Sequence, residues 1–363
     1  MTGRKDITMP EFASPPQRFF DGHNDVLFRL LDHVNPEEDF LVGDNQGQLD
    51  WPRMKAGGLT GGLFAIYISS GPVAFGDDPT GRAEYDVPLP PQLPLDMAQT
   101  ITVKMASLLL RIERASKGEV RICRSAAEIR SSIAEGVLAA VMHIEGAEAI
   151  DPDFHMLDVL HAAGLRSLGP VWSRPTIFGH GVPFRFPGSP DIGPGLTDKG
   201  KDLIRACNRR RIAVDLSHLN EQGFWDVAAI SDAPLIASHS NAHDICPHAR
   251  NLTNRQLHAI RERRGMVGVN FAVSFIRPDG QTNPDTSLEQ MIRHIDHLIQ
   301  HAGIDSVGFG SDFDGATVPA EIGDATGLPM LADAMRRHGY DQETMDKLCH
   351  ENWIDVLERS WGS

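Results

Sequence analysis

The sequence predicts a (β/α)8 barrel, the TIM-type arrangement of the α/β class. Eight short apolar or β-branched runs alternate with longer segments of helical period, which is typical of parallel strands joined by helices. A length of 363 residues suits one such barrel, and no low-complexity linker divides the chain. We therefore expect a single domain over residues 1–363. The alternative, an open doubly wound sheet, needs glycine-rich phosphate loops that the sequence lacks.

Predicted strands and helices alternate along the chain. The eight strands cover residues 18–25, 62–69, 137–145, 165–172, 212–218, 235–239, 266–271 and 306–312. The helices include residues 96–117, 153–163, 198–211, 254–264, 288–302 and 342–359. Capping boxes predict where two of them begin, Thr253 with Gln256 and Thr286 with Glu289.

Two connections are too long to be simple turns. Residues 71–94 and 173–195 are rich in proline and glycine, and long loops of compact domains are usually functional. The second connection follows the fourth predicted strand, so a barrel places it over the mouth at the carboxyl ends of the strands. We expect a lid or a substrate-binding loop there.

Composition and charge exclude several classes of function. The chain has 34 Lys and Arg against 49 Asp and Glu, and its formal net charge of −15 would repel a nucleic-acid backbone. No apolar run is long enough to span a membrane, and none follows Arg4 and Lys5 as in a secretion signal. The four cysteines lie far apart without a CxxC pair. We therefore expect a cytoplasmic protein with reduced thiols and no nucleic-acid or membrane partner.

Side chains of metal-ligand type end five of the predicted strands. His23 and Asp25 end the first strand and project to the same side, because alternate residues of a strand share a face. The third, fifth, sixth and eighth strands end with Glu145, His218, His239 and Asp312. Barrel enzymes keep their reactive groups at the carboxyl ends of the strands, so all of these side chains should meet in one mouth.

The combination of imidazoles and carboxylates is typical of zinc or a similar divalent ion. Glu145 has two oxygens and could bridge two ions. Two metals about 3.5–4 Å apart can hold a hydroxide between them and polarise a carbonyl. An isolated HxD pair is more often a buried, hydrogen-bonded histidine than a ligand. The joint occurrence at five strand ends favours metal-assisted hydrolysis of an amide.

Other histidines and acids have simpler explanations. His143 is expected to lie behind the ligands rather than bind metal, His243 to be a loop histidine, and Asp314 to support the turn after the last strand. A helical spacing of three and four predicts one partly solvated face for His294, His297 and His301.

The candidate ligands stand in short segments whose order is specific. These segments read Asp21-Gly-His23-Asn-Asp25, His143-Ile-Glu145-Gly, Asp215-Leu-Ser-His218, Ser238-His239-Ser and Gly308-Phe-Gly-Ser-Asp312-Phe-Asp314-Gly. Together they resemble the renal (membrane) dipeptidase family of metallopeptidases, from about Phe19 to Leu357. The resemblance implies a (β/α)8 barrel, two zinc ions, a dipeptide substrate and a homodimer.

The resemblance also implies a role for each residue. His23 and Asp25 would bind one zinc ion, His218 and His239 the other, and Glu145 would bridge both. Asp312 would be the acid and base that serves the attacking water and the departing amine. Arg250, in His248-Ala-Arg250-Asn251, matches the arginine with which the family grips its substrate.

The sequence departs from the family pattern after the fourth strand. Many relatives carry a histidine there that holds the carbonyl oxygen, whereas this chain has Trp172, which can donate a hydrogen bond but cannot titrate. The second metal, Arg250 or His180 could take over that task. Cys246 lies near a cysteine that secreted relatives use in a disulfide, but no partner cysteine follows the seventh strand.

Three functions follow from these residues. The first is a metal-dependent dipeptidase, which could accept a D-residue at the C-terminal position of its substrate. The second is a hydrolase of another small amide, a lactam or an N-acyl amino acid, because the same two-metal site attacks any well-placed carbonyl. The third, a metal-bearing binding protein without activity, is disfavoured because the set of ligand-type side chains is intact.

Overall fold

The computed structural model describes residues 17–70 and 82–362. The strands are β1 (Phe19–Asn24), β2 (Leu59–Tyr67), β3 (Tyr85–Val87), β4 (Val120–Ile122), β5 (Leu138–Glu145), β6 (Leu165–Gly169), β7 (Phe184–Phe186), β8 (Ala213–Val214), β9 (Ile236–Ala237), β10 (Met266–Asn270) and β11 (Val307–Gly310). The helices are α1 (Val26–Leu30), α2 (Pro36–Val42), α3 (Trp51–Gly57), α4 (Leu95–Ala115), α5 (Ala126–Glu135), α6 (His155–Ala163), α7 (Asp198–Arg210), α8 (Glu221–Ile230), α9 (Asn254–Glu262), α10 (Val273–Ile276), α11 (Leu288–Ala302), α12 (Leu328–His338), α13 (Gln342–Asp346) and α14 (Asn352–Trp361). A π-helical turn, Lys347–Glu351, joins the last two helices.

Eight parallel strands form the barrel. Their order is β8-β6-β5-β2-β1-β11-β10-β9, and β4 pairs with β5 outside this order. A parallel bridge between Asp215 and Ile236 links the two ends, with the Leu216 N–H donating to the Ile236 carbonyl at 2.7 Å. All eight predicted strands are found in this barrel, so the predicted (β/α)8 fold is confirmed. The fifth and sixth are shorter than predicted, with two residues each in β8 and β9.

Large side chains fill the barrel interior around Trp353 of α14, which is fully buried. The Trp353 ring lies 6.4 Å from the Phe20 ring, and its indole N–H donates to the Phe309 carbonyl at 2.8 Å. A Cβ atom at position 22 would stand only 2.2 Å from the Trp353 ring, so only Gly22 fits there. Close packing of this kind holds β1 in place, and β1 carries the first two candidate ligands at its end.

The two long connections pair with each other, an arrangement not predicted from the sequence. Residues 85–87 form β3 and pair antiparallel with residues 184–186 of β7. Residues 71–81 of the first connection lie outside the described residues. The start of the second connection is held by buried Arg174, which donates to Glu148 at 2.9 Å and to the Ile68 carbonyl at 2.7 Å.

One of the two predicted capping boxes forms. Thr253 and Gln256 cap α9 reciprocally, as predicted. The box predicted at Thr286 is wrong, because the Thr286 hydroxyl donates to the Asn283 carbonyl at 2.6 Å and Ser287 occupies the N-cap position of α11.

The described part of the chain contains no helix long and apolar enough to cross a lipid bilayer. All four cysteines, Cys123, Cys207, Cys246 and Cys349, are buried and form no disulfide.

Candidate metal centre

The candidate ligands converge where the barrel strands end. His23 ends β1, Asp25 precedes α1 and Glu145 ends β5. His218 and His239 follow β8 and β9 within four residues. These five side chains are buried. Asp312 follows β11 and is partly exposed, so it lies between the buried cluster and the opening.

Glu145 stands between two groups of nitrogen and oxygen donors. Its Oε1 atom lies 2.9 Å from Nε2 of His218 and 3.3 Å from Nε2 of His239. Its Oε2 atom lies 3.8 Å from Nε2 of His23, which is itself 3.4 Å from Oδ2 of Asp25. Each carboxylate oxygen therefore faces a different set of ligands, which is the arrangement that a bridging carboxylate needs.

The potential ligand atoms form three overlapping groups, and within each group all atoms lie within 4.8 Å of one another. The groups are His23, Asp25 and Glu145; Glu145, His218 and His239; and His23, His239 and Asp312. The first two groups share Glu145, in agreement with the predicted division of ligands. The third was not predicted, and it brings the Asp312 carboxylate within ligand range of both histidines.

The donor set fits divalent cations. Both ring nitrogens of His23 are buried and, among the described residues, have no hydrogen-bond partner. The Nε2 atoms of His218 and His239 face each other at 3.1 Å. Two imidazole lone pairs at this separation repel each other unless a positive charge lies beside them, and imidazole nitrogen is a preferred ligand of zinc.

Serine hydroxyls hold the outer nitrogens of two of these rings. The Ser238 hydroxyl donates to Oδ2 of Asp215 at 2.6 Å and lies 2.7 Å from Nδ1 of His239. Because the Ser238 hydroxyl donates its one hydrogen to the Asp215 carboxylate, it can only accept a hydrogen bond from Nδ1–H of His239. The lone pair of the His239 ring is therefore on Nε2. The Ser173 hydroxyl lies 2.8 Å from Nδ1 of His218. The Nε2 atoms of His218 and His239 face Oε1 of Glu145, at 2.9 and 3.3 Å.

Burial and charge shift the pKa values of the cluster. Burial lowers the pKa of His218 and of His239 well below the usual range, so both rings are neutral, as metal binding would require. Burial raises the pKa of Glu145 well above its usual range. Burial also lowers the pKa of His23, but the carboxylates of Glu145 and Asp25 outweigh it and raise that pKa to about 10. The cluster therefore needs positive charge, which bound cations would supply.

Asp312 is held in one orientation beside the ligands. The side-chain amide of Asn270 donates to its Oδ2 atom at 2.9 Å, and its backbone N–H donates to the His23 carbonyl at 3.0 Å. Burial, together with the nearby Asp25 carboxylate, raises the pKa of Asp312 to about 6. The backbone of Asp312 (φ +59°) and of His218 (φ +67°) is left-handed, a conformation that non-glycine residues adopt mainly where the surrounding structure imposes it.

A cavity of about 490 Å³ opens beside the cluster and is of the size that small-molecule sites have. Glu145, His218 and Asp312 contribute to its wall. Much of the remaining wall is aromatic, including Phe28, Tyr67, Tyr85, Trp172, Phe184 and Phe275. The Trp172 ring lies 5.8 Å from the His218 ring. The Trp172 ring therefore lies at the mouth of the barrel. This is the position at which the sequence departs from the family pattern.

Arg250 is buried behind this wall. Its guanidinium donates to the His239 carbonyl at 3.0 Å and lies 5.5 Å from the centre of the Phe275 ring. Its Nε atom has no hydrogen-bond partner among the described residues. Neither Arg250 nor His180 is among the residues that line the cavity. The Arg250 guanidinium contacts the backbone of the candidate ligand His239, and the His180 carbonyl accepts the backbone N–H of Asn220, two residues after His218.

The other histidines separate into distinct environments. His143 lies outside the ligand groups, with Nδ1 2.9 Å from the Ser167 hydroxyl, and His243 bonds the Gly188 carbonyl from a loop, as predicted for both. The partly solvated face predicted on α11 is found for His297 and His301. It is wrong for His294, which is fully buried. His294 accepts the Ala242 N–H and donates to the Ile276 carbonyl, so it joins α11 to the loop after β9 and to the end of α10.

Two residues at the site were missed as functional candidates. Asn270 ends β10 and binds Asp312, and His248 lines the cavity. The sequence carries no motif for Asn270. The only sequence feature that could have indicated a role for His248 is its position two residues before Arg250.

Comparison with known proteins decides the family. The model for membrane dipeptidases, peptidase family M19, matches residues 16–360. The chain belongs to the membrane dipeptidase family. This confirms the predicted resemblance and, at the level of the family, the prediction of a metallo-dipeptidase, which is a hydrolase.

Several relatives of this dipeptidase-family chain are close. A metallo peptidase from Rhodobacter sphaeroides, solved with a phosphinate mimic of the dipeptide L-Ala-D-Ala, is 56% identical, with a TM-score of 0.93 over 95% of this chain and 100% of that one. The dipeptidase AC, a metallo peptidase of family M19, is 57% identical, with a TM-score of 0.92 over 95% and 99% of the two chains. An uncharacterized protein in the pqqA 5′ region of Klebsiella pneumoniae is 49% identical over 255 residues, 70% of this chain and 94% of the relative.

Proposed function

We propose that this chain hydrolyses the amide bond of small dipeptides with the help of two divalent metal ions, zinc being the ion that the ligands suit best. The observation that carries the proposal is the position of Glu145. One of its oxygens faces His218 and His239, and the other faces His23, beside a cavity large enough for a dipeptide.

Each ion would have its own ligands in addition to the shared carboxylate. His23 and Asp25 would hold one ion, and His218 and His239 the other. Such a pair of ions polarises the carbonyl to be attacked and lowers the pKa of the attacking water. Neutral histidines and ionised carboxylates are the protonation states that this binding requires.

Asp312 would move the proton. Asn270 occupies its Oδ2 atom, which leaves Oδ1 to take a proton from the attacking water and to return it to the departing nitrogen. Two cations beside Asp312 would keep its carboxyl ionised in the resting enzyme, ready to accept a proton from the attacking water. Asp312 also lies within ligand range of His23 and His239. Metal content therefore has to be measured together with activity, to show whether Asp312 moves the proton or binds a metal ion.

A short substrate with a D-residue at its C-terminal position fits this proposal. The Rhodobacter sphaeroides relative binds a mimic of L-Ala-D-Ala, and the aromatic wall around Trp172 would favour small side chains. Arg250 would assist substrate binding through its positive charge, since it lies behind the cavity wall and its Nε atom has no partner among the described residues.

The direct test is a substrate screen with zinc-loaded protein. L,L and L,D dipeptides are compared with N-acyl amino acids and lactams, which are the alternative substrates of the same kind of site. We expect hydrolysis of L-Ala-D-Ala and related dipeptides, lost on removal of metal and restored by added zinc. Turnover of the N-acyl amino acids or lactams alone would favour the alternative, and no turnover of any class would contradict a hydrolase.

Two broader expectations belong to the same proposal. A single catalytic domain that forms a homodimer is tested by sedimentation equilibrium, which should give twice the mass of 39.8 kDa. A cytoplasmic location agrees with four buried cysteines that form no disulfide. It is tested by fractionating cells that produce the full-length chain.

A further inference from the structure

His248 lies on the cavity wall among aromatic rings. It is fully buried and belongs to the segment between β9 and α9. Its ring is 4.5 Å from the Phe275 ring, 5.8 Å from the Tyr85 ring and 6.4 Å from the Phe184 ring, all of which line the same cavity. A polar side chain in such a wall normally has a specific partner.

The protein itself satisfies only one nitrogen of this ring. The backbone N–H of Arg250 donates to Nδ1 of His248 at 3.0 Å, so the ring proton is on Nε2. Nε2 is buried and has no hydrogen-bond partner among the described residues. Burial lowers the pKa of His248 well below the usual range, so the ring stays neutral. His248 therefore presents an N–H donor that still needs an acceptor.

The place of His248 limits what that acceptor can be. The Phe184 ring lies 6.4 Å from the His248 ring and 6.4 Å from the His218 ring, and all three side chains line the same cavity. His248 belongs to none of the ligand groups. Its partner is consequently a part of the substrate other than the carbonyl that is attacked beside the metal ligands.

A dipeptide has few groups that could serve. Its N-terminal ammonium only donates hydrogen bonds and cannot pair with an N–H donor. Its scissile carbonyl must lie beside the metal ligands. Its C-terminal carboxylate only accepts, and lies one residue away from the scissile bond. Arg250, whose guanidinium carries an unpaired Nε, is two residues from His248 and supplies positive charge for an anion in this part of the cavity.

We propose that His248 is a specificity-determining residue whose Nε2–H donates to the C-terminal carboxylate of the substrate, beside Arg250. This inference rests on the proposed dipeptidase function. It explains how the chain would distinguish a dipeptide with a free carboxylate from a longer peptide or a peptide amide, in which the carboxylate is replaced by a neutral amide.

The experiment compares L-Ala-D-Ala with its C-terminal amide, using zinc-loaded protein. His248→Phe keeps an aromatic ring and removes the donor, whereas His248→Gln keeps an N–H donor. We expect His248→Phe to raise KM for the free acid about 10- to 100-fold, the loss typical of a hydrogen bond to a charged group, with kcat within about threefold. For the amide, KM should change by less than about threefold. His248→Gln should recover much of the affinity for the acid.

The matched control is His243→Phe, a histidine of the same segment that bonds the Gly188 carbonyl and does not line the cavity. It should behave as wild type with both substrates. An equal rise in KM for the acid and the amide in His248→Phe, or no rise, would overturn the inference. If His248→Phe does not fold, the wild type decides, since equal affinity for the acid and the amide would exclude a carboxylate donor.

Calorimetry separates this inference from the proposed function. A phosphinate analogue of L-Ala-D-Ala and the C-terminal amide of that analogue are titrated into zinc-loaded wild type and His248→Phe. A loss of affinity confined to the free acid supports the role of His248 even if no dipeptide is turned over. Equal losses for both analogues contradict that role even if the wild type is an active dipeptidase.

Discussion

The Ser238 hydroxyl donates a hydrogen bond to Oδ2 of Asp215 at 2.6 Å. The Asp215 carboxylate also accepts the backbone N–H groups of Ser217 and Ser238, at 3.0 and 2.8 Å. Through Ser238 it fixes the tautomer of His239, because the hydroxyl is left to accept the Nδ1–H of that ring. The buried Asp215 carboxylate thus orients the candidate ligand His239 through the Ser238 hydroxyl.

Ser238→Ala should weaken zinc binding, because the His239 ring loses the contact that fixes its tautomer. Loss of such a supporting contact typically costs about 10- to 100-fold in metal affinity. Competition with a chromogenic chelator measures the change. The control is Ser167→Ala, which removes a similar hydroxyl from His143, a histidine outside the ligand groups. Equal affinities for the two variants would show that Ser238 does not prepare the ligand.

Asp312→Asn should lower kcat by about 10²–10⁴ while both metal ions stay bound, because the amide keeps the shape of the carboxylate but cannot carry the proton. Steady-state kinetics on L-Ala-D-Ala and metal analysis of the same sample measure the two effects. Retention of more than about a tenth of the wild-type kcat would remove Asp312 from proton transfer. Loss of one ion would instead make it a ligand.

Trp172→His should broaden the substrate range with little change in metal content. The Trp172 ring is 5.1 Å from the Tyr67 ring and 5.6 Å from the Phe184 ring, so a smaller side chain leaves space in the cavity. Relative kcat/KM for dipeptides with small and large side chains is the measurement. Unchanged selectivity would mean that Trp172 does not contact the substrate.

His294 should make the folded state less stable as the pH falls. Burial lowers its pKa from 6.5 to about 4, so between these values the unfolded chain binds more protons than the folded chain. The stability that depends on neutral His294 is complete above pH 6.5 and is lost toward pH 4, at about 1.4 kcal/mol per pH unit.

Urea unfolding of metal-free protein from pH 7 to pH 5 measures this slope. His294→Gln should unfold with a shallower pH dependence than wild type, although it is less stable at pH 7. Arg293→Gln, an exposed change on the same helix, should keep the wild-type slope. Identical slopes for wild type and His294→Gln would exclude His294 as the titrating group.

The barrel was predictable because its strands are continuous buried runs, such as the eight residues of β5. The lengths of strands β8 and β9 were overestimated, because the chain leaves the sheet early and, after β8, His218 adopts a left-handed backbone conformation. The pair of β3 and β7 could not be predicted, because three residues of one proline-rich connection pair with three residues of another, about 100 residues away. Local periodicity carries no information about such pairing.

The candidate ligands were predictable because each stands at the end of a strand, where the barrel brings them together. His248 was not, because its exposure to the cavity depends on how the segment after β9 folds against Phe275 and β7. The burial of His294 was missed for a related reason. Helical spacing shows that His294 shares a face with His297 and His301. It does not show that the loop at Ala242 and the end of α10 cover one end of that face.

The number of zinc ions per chain, measured by mass spectrometry of protein purified without chelator, tests the central claim most directly. A site bridged by Glu145 predicts about two ions in the wild type. It also predicts that Glu145→Ala loses more metal than His23→Ala or His218→Ala, because a bridge serves both ions and each histidine serves one. A reproducible value near one ion that added zinc does not raise, with no greater loss in Glu145→Ala than in the histidine variants, would contradict the bridged two-metal site.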